Sequence, residues 1–257
     1  MERPLREPSQ SERPLYERKP LREAIFELFA DPDTLTAWSS KSIARVSTLL
    51  PGYVHHEEQM RDIGIQFQVG PEGAIAKQHE PRTRIRRWDQ AKQKAVQFGS
   101  HMCAFNVLGP AYTRFEDQLD TIKRVVQAYL EEGRPSKIEW IGQRYINAIE
   151  LPVELPNVST YFPIYPQLPM SLKGHRPLAL QIQTSDTNGN VFVNLSFAGK
   201  DEAAATYTLD IYARSEADFP NDADAVTHWH HTIHSAVHEA FELSVSNHCR
   251  ALFKEMP

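Results

Sequence analysis

The run His228-Trp229-His230-His231-Thr232-Ile233-His234-Ser235-Ala236-Val237-His238-Glu239 opens a segment that continues to about Lys254 and holds six of the chain's eleven histidines. Two readings compete for it. In one, the imidazoles form a metal or pH-sensitive site; in the other, they edge a packing helix. His230, His234 and His238 stand at i, i+4 and i+8 and so share a helical face, and an i, i+4 pair can chelate zinc from neighbouring turns. The third cannot join the first, because eight residues climb about 12 Å along the axis. A metal site would then draw further ligands from elsewhere, with His55, His56 and Glu58 as candidates. The HExxH order is absent, since Ala240-Phe241-Glu242 follows His238-Glu239.

Beside the histidines, Trp229, Ile233, Val237, Phe241, Val245 and Cys249 recur at every fourth position. Each step drifts about 40° around a helix, so the apolar stripe winds as it would on a twisted sheet. The histidines follow each rung by one residue and border that stripe. Packing helix is therefore the leading expectation. The metal set His230, His234, His238 stands as the alternative, and a pH-responsive surface as a third reading, because histidine titrates near ~6.5.

Working outward, Arg22 to Ala30 reads as a strand, and Asp31-Pro32-Asp33 starts a helix that ends at Pro51-Gly52. Three strands are expected near 60–69, 81–88 and 93–107, and an amphipathic helix over 114–132 with Gly133 as its C-cap. The second half repeats the order. A strand spans Lys137 to Leu151, a proline-punctuated stretch runs through Pro169, and strands follow near 177–184, 190–197 and 205–214. Asn188-Gly189 is the hairpin turn between the first two of these. The expected fold is α+β: duplicated strand–helix–three-strand–helix halves at 19–133 and 134–257, with curved antiparallel sheets gripping long helices, the alternative being one continuous sheet shared by both halves. Residues 1–18, polar and broken by Pro4, Pro8 and Pro14, are expected to form a flexible tail.

Composition narrows the function. Hydrophobic residues at 41% and charged residues at 24% suit a globular protein, and a net charge of -5 argues against a dedicated nucleic-acid coat. Glycine is scarce, at 11, and no GxxxxGK[ST], GxGxxG or GxSxG occurs, which weakens nucleotide-hydrolase and serine-hydrolase readings. The two cysteines, Cys103 and Cys249, lack CxxC spacing and lie in apolar runs, as inert buried thiols do. They favour a reducing compartment. No apolar run reaches the roughly 20 residues of a membrane span, and the charged start Met1-Glu2-Arg3-Pro4 has no apolar leader core. The expectation is a cytoplasmic protein without membrane association and without a cofactor.

Several segments taken in order resemble a known family. They are Lys19-Pro20-Leu21-Arg22-Glu23-Ala24, Phe105-Asn106-Val107-Leu108, Gly142-Gln143-Arg144-Tyr145-Ile146-Asn147-Ala148-Ile149-Glu150-Leu151-Pro152, and the run from His238-Glu239-Ala240-Phe241-Glu242 through Arg250-Ala251-Leu252-Phe253. Together they are similar to a sporadically distributed family of uncharacterised bacterial and archaeal proteins of this length. That family has a P-P-I-x-E-A opening, an R-Y-x-N-x-I centre and an F-E-x-x-I-T-x-x-x-R-x-x-F ending. Leu21-Arg22 and Ser244-Val245-Ser246 depart from the pattern. The resemblance implies an architecture and no established chemistry. The family's patchy distribution suggests an anti-phage defence or toxin–antitoxin setting.

Three further segments are candidate sites. Arg82, Arg84, Arg86 and Arg87, with Trp88, could hold phosphates and stack a base, or contact an acidic protein. The plainer reading is a charged edge strand that resists aggregation. Arg144 and Ile146 face one side of their strand, Tyr145 and Asn147 the other, and polar groups so placed usually pin loops by hydrogen bonds. Tyr161-Phe162-Pro163-Ile164-Tyr165-Pro166-Gln167-Leu168-Pro169-Met170 is either an exposed recognition loop or a lid on the core. Tyr161, Phe162 and Tyr165 are taken as partner contacts. No nucleophile–base pair emerges. The expected function is a non-catalytic component that binds another macromolecule, a protein ahead of nucleic acid. A histidine-based metal enzyme or sensor, or nucleotide binding through the arginine strand, are the alternatives.

Overall fold

The computed structural model describes residues 16–31, 40–62, 65–70, 73–78, 82–152, 158–165, 179–185, 189, 191–200 and 206–254. The first half contains β1 (Leu21–Ala30), α1 (Ser40–Leu49), β2 (His56–Asp62), β3 (Ile65–Gly70), β4 (Gly73–Gln78), β5 (Arg82–Trp88), β6 (Lys94–Gly99), β7 (Met102–Leu108) and α2 (Leu119–Gly133). The second contains β8 (Ile138–Glu150), α3 (Val158–Tyr161), β9 (Ala179–Ser185), β10 (Val191–Lys200), β11 (Thr206–Ser215), α4 (Ala223–Ser244) and α5 (Asn247–Phe253).

The fold is α+β, and of the two arrangements left open by the sequence the halves adopt the shared sheet. Nine strands join in one antiparallel sheet, ordered β2-β5-β6-β7-β1-β8-β11-β10-β9, and β3-β4 form a two-stranded ribbon. The order runs outward from the β1–β8 pair, with four strands beyond β1 and three beyond β8. Each half lays its first strand at the centre and its last beside it, then steps outward through the hairpins. The seam is deep, with Ala24 opposite Tyr145 and Phe26 opposite Gln143. One face of β1 carries Ala24, Phe26, Leu28 and Ala30, all buried. Period-two alternation places these residues under α2 and α4, which pack side by side on that face.

Several boundaries differ from the sequence expectation. The strand expected over 93–107 is a hairpin, turning at Ser100-His101 between β6 and β7. The strand expected near 60–69 is divided between β2 and β3. Helix α2 ends one residue later than expected, with Arg134 rather than Gly133 in the left-handed conformation (φ 43°, ψ 52°). The last helix is two helices. Val245 is extended (φ -118°, ψ 138°), and the Ser246 hydroxyl caps α5 by accepting from the Cys249 N–H at 3.2 Å. A serine at that place offers the orphan N–H groups a partner that continued helix would not need. Residues 16–18 belong to the folded body rather than a flexible tail. Glu17 N–H donates to Lys254 O and Arg18 N–H to Phe253 O, both at 2.9 Å, and the Tyr16 ring meets Phe253 edge-on. Residues 1–15 and Pro166–Met170 of the expected tail and aromatic loop lie outside the described residues, as does Asn188 of the expected turn. No described helix is long and apolar enough to cross a membrane.

Candidate functional site: a cleft beside the histidine helix

The helix face of β8 differs from that of β1. At every second position it carries a polar group: Gln143, Tyr145 and Asn147, all buried. Such groups need partners, and α4 runs along β8 with a histidine every fourth residue. Four helical residues rise about 6.0 Å and two strand residues about 6.8 Å, so the two repeats nearly coincide. On the first rung, Gln143 Nε2 donates to the His230 carbonyl and lies 3.1 Å from His230 Nδ1. On the second, the Tyr145 hydroxyl lies 3.1 Å from His234 Nδ1 and 3.0 Å from the Tyr112 hydroxyl. The match then fails. The helix has turned about 80° over two steps and lagged the strand by roughly 1.5 Å. His238 faces Glu242 instead, at 3.9 Å, while Asn147 Nδ2 donates to Leu209 O at 3.1 Å.

Where the rungs part, a cleft opens. It has a volume of about 490 Å³, with apolar Leu21, Phe115, Val237 and Phe241 as its floor and the polar groups of Tyr145, Asn147, His234 and His238 around them. The rim opposite α4 is formed by Lys19 and by the 113–117 segment ahead of α2. Phe115 stacks on His234 with ring centroids 4.2 Å apart, which fixes the imidazole plane. Glu242 is held by Arg250 Nε at 2.7 Å and by the Tyr16 hydroxyl at 3.1 Å. Lys19 Nζ donates to the carbonyls of Tyr112 and Thr113 at 2.9 and 2.8 Å. Burial, and then the nearby Arg114 guanidinium, lower the pKa of that ammonium. Chemically the cleft offers an apolar floor, a fixed hydroxyl–hydroxyl–imidazole chain able to orient or pass a proton, and a cationic rim.

The histidines therefore divide by role. His230 is fully enclosed, its ring meeting Phe26 edge-on, and burial pushes its pKa down to about 3. The alternative metal set His230, His234 and His238 is not gathered around a point. Two of the three use Nδ1 in the ladder, and the His234 and His238 rings are 6.4 Å apart. No group of three or more His, Cys, Asp or Glu is placed to hold a metal among the described residues. His56 and Glu58 lie on β2, five strands from β8 and so about 24 Å away.

The other sequence candidates fall elsewhere. Arg84, Arg86 and Trp88 share the sheet face opposite the helices, and Arg87 points to the helix side. Arg87 is bound by Glu57 at 2.6 and 2.9 Å; Arg86 sits 3.9 Å from Glu58 and 5.5 Å from the Trp88 ring centroid. These contacts tie Arg86 and Arg87 to β2, while Arg86 Nε and Trp88 Nε1 are buried without a hydrogen bond among the described residues. The side chain of Arg82 lies outside the described residues. Arg144 is on the far face from Tyr145 and Asn147, forked onto Asp210 at 2.6 and 2.9 Å beside a second cavity of about 280 Å³. Phe162 is corrected from partner contact to core. It is 0% exposed, with ring centroids 4.8 Å from Phe197 and 5.5 Å from Tyr207, and Tyr165 also meets Phe197. Tyr161 is partly buried against the core, its carbonyl accepting from Ser246 N–H. Both thiols are buried, and burial raises the pKa of each, that of Cys249 to about 12.

The cleft itself was missed in the sequence. Its visible signal was the coincidence of a polar residue at every second position of 143–147 with a histidine at every fourth position of 230–238. Comparison with protein-family models and with curated proteins returns no match.

Proposed function

We propose that this α+β chain is a non-catalytic binding protein that takes hold of another protein at the cleft between α4 and the 113–117 rim. The observation that carries this reading is the cleft: an open volume of about 490 Å³ whose apolar floor is surrounded by polar groups already fixed by hydrogen bonds within the chain. Preset polar groups around an apolar floor favour recognition, because little side-chain freedom is left to lose on binding. The buried thiols, with their raised pKa values, support binding over nucleophilic chemistry. The resemblance to a sporadically distributed family extends the proposal to a component of an anti-phage defence or toxin–antitoxin module.

The test is site-specific photocrosslinking in cells that express the neighbouring genes, with the photoreactive group at exposed Thr113. The expected result is one protein captured in near-stoichiometric yield, and its loss when Val237→Trp fills the cleft floor. Capture that is unchanged by Val237→Trp, in a variant that melts cooperatively, overturns the reading. Recovery of the chain only as a partnerless monomer does so as well.

A further inference from the structure

We propose that the cleft captures the free carboxyl terminus of its partner, with an apolar last residue seated on the floor. This rests on the reading of the cleft as the protein-binding site. Three features of the cleft each match one part of a chain terminus.

The first is Asn147, 4% exposed and lining the cleft. Its amide nitrogen donates to the carbonyls of Leu209 and Tyr145, which fixes the carboxamide and settles which end is oxygen. The carbonyl oxygen accepts no hydrogen bond among the described residues. An acceptor left open where its residue lines the cleft suits an N–H donor, and the last peptide N–H of a chain supplies one.

The second is Lys19. Two of its N–H groups are used on the Tyr112 and Thr113 carbonyls, and the third has no partner among the described residues. The lysine is close to Asn147 by construction of the sheet, since Leu21 is opposite Asn147 and Ala148 N–H donates to Pro20 O at 2.9 Å. Arg114 adds a second cation to the same rim; burial first, and then Arg114, lower the pKa of the lysine, with Asp117 opposing. Glu116 and Asp117 share that rim, with Asp117 bound by the Thr113 hydroxyl at 2.5 Å. Their charges oppose a multiply charged anion such as a phosphate and leave room for a single carboxylate.

The third is the floor. Phe115 and Val237 are buried and Leu21 and Phe241 partly so, and together they offer an aliphatic or aromatic side chain a dry seat. The cleft volume falls within the range that holds one such residue and the peptide unit before it.

The test uses the full chain and fluorescein-labelled hexapeptide pools of random sequence ending in Leu, Ile, Val or Phe, supplied as free acids and as carboxamides. Fluorescence anisotropy is expected to show binding of the free-acid pool at least tenfold tighter than of the amidated pool. Lys19→Met is expected to remove that preference, and Lys19→Arg to retain part of it. Lys19 is on the surface, so folding is not at stake, and circular dichroism confirms it. Asn147→Asp, checked by its melt, is expected to weaken the free-acid pool further, because a carboxylate there repels the ligand's own. Equal binding of acid and amide pools overturns the carboxyl-terminus inference while leaving the cleft as a peptide site. Binding of neither pool overturns the inference too, and photocrosslinking at Thr113 then decides whether the protein-binding reading falls with it.

Discussion

Acid should destabilise this protein through His230 before it acts on the surface. The His230 imidazole is fully buried, and its Nδ1 lies 3.1 Å from Gln143 Nε2, a donor, so Nδ1 must be an acceptor and the ring neutral with its proton on Nε2. Burial first, and then the neighbouring His231, hold its pKa down to about 3 against an ordinary 6.5. The sign follows from linkage. The unfolded chain binds a proton at this residue below pH 6.5 and the folded chain does not, so the stability contribution is complete above 6.5. It is lost as pH falls from there toward about 3. At pH 5 the loss amounts to about 2 kcal/mol, from 1.36 kcal/mol per unit over 1.5 units. That figure depends on the unfolded value and hardly on how far below about 4 the folded one lies. Urea denaturation of the wild type and of His230→Met at pH 7.5, 6 and 5 isolates it, since carboxylates and the other histidines contribute to both. The variant should be less stable at neutral pH, because Gln143 loses a partner, yet its stability should fall less between pH 7.5 and 5 by about 2 kcal/mol. Parallel pH curves would refute the reasoning, as would an NMR titration of the His230 ring with a midpoint near 6.

Other perturbations check the packing. Phe162→Ala empties a site between Phe197 and Tyr207 and should cost about 3–5 kcal/mol in urea denaturation; a loss under about 1 kcal/mol would restore this ring to an exposed role. Gly109→Ala would drive a methyl into the Leu21 carbonyl, a backbone group tied into the central strand, and should cost about 3 kcal/mol, read as a lowered melting temperature. A double-mutant cycle on Arg87 and Glu57, which are 17% and 46% exposed, should give a coupling below about 1 kcal/mol that shrinks with salt. A coupling of several kcal/mol that ignores salt would contradict the partly solvated pair.

The periodic parts of the fold were legible and the irregular parts were not. Alternation in Ala24, Phe26, Leu28 and Ala30 marks a strand with one buried face, and the ladder from Trp229 to Phe241 marks the helix that lies on the other half. Sheet continuity was left undecided, because strand pairing between β1 and β8 depends on residues more than a hundred positions apart. The helix break was hidden, for a different reason. Val245 and Cys249 extend the i+4 ladder across the break, so the apolar pattern reads as unbroken, and only Ser246 hints at a new N-cap. Phe162 illustrates a third limit, since an aromatic-proline run has the same composition as a lid or as an interface. Of the candidate site, Tyr145 and Asn147 were visible as polar strand residues and His234 and His238 as helix residues. That they face one another needed the register of α4 along β8.

That register also accounts for the histidines. A strand with Gln143, Tyr145 and Asn147 on its buried face cannot be covered by a wholly apolar helix without leaving polar groups unpaired, at about 1–3 kcal/mol each. Histidine at every fourth position answers part of this, because it offers a ring to Phe26 or Phe115 and a nitrogen to the strand, while Gln143 Oε1 stays buried without a hydrogen bond among the described residues. The same geometry limits the answer to two rungs, since helix and strand diverge in both angle and rise. The third polar residue, Asn147, is left beside open space with its oxygen uncommitted, and the third histidine turns to Glu242. The cleft is thus a consequence of packing a 3.6-residue period on a two-residue period, sited where the match runs out. Lengthening the match would close it: a residue at position 238 able to reach Asn147 would complete the ladder and remove the acceptor that a partner could use.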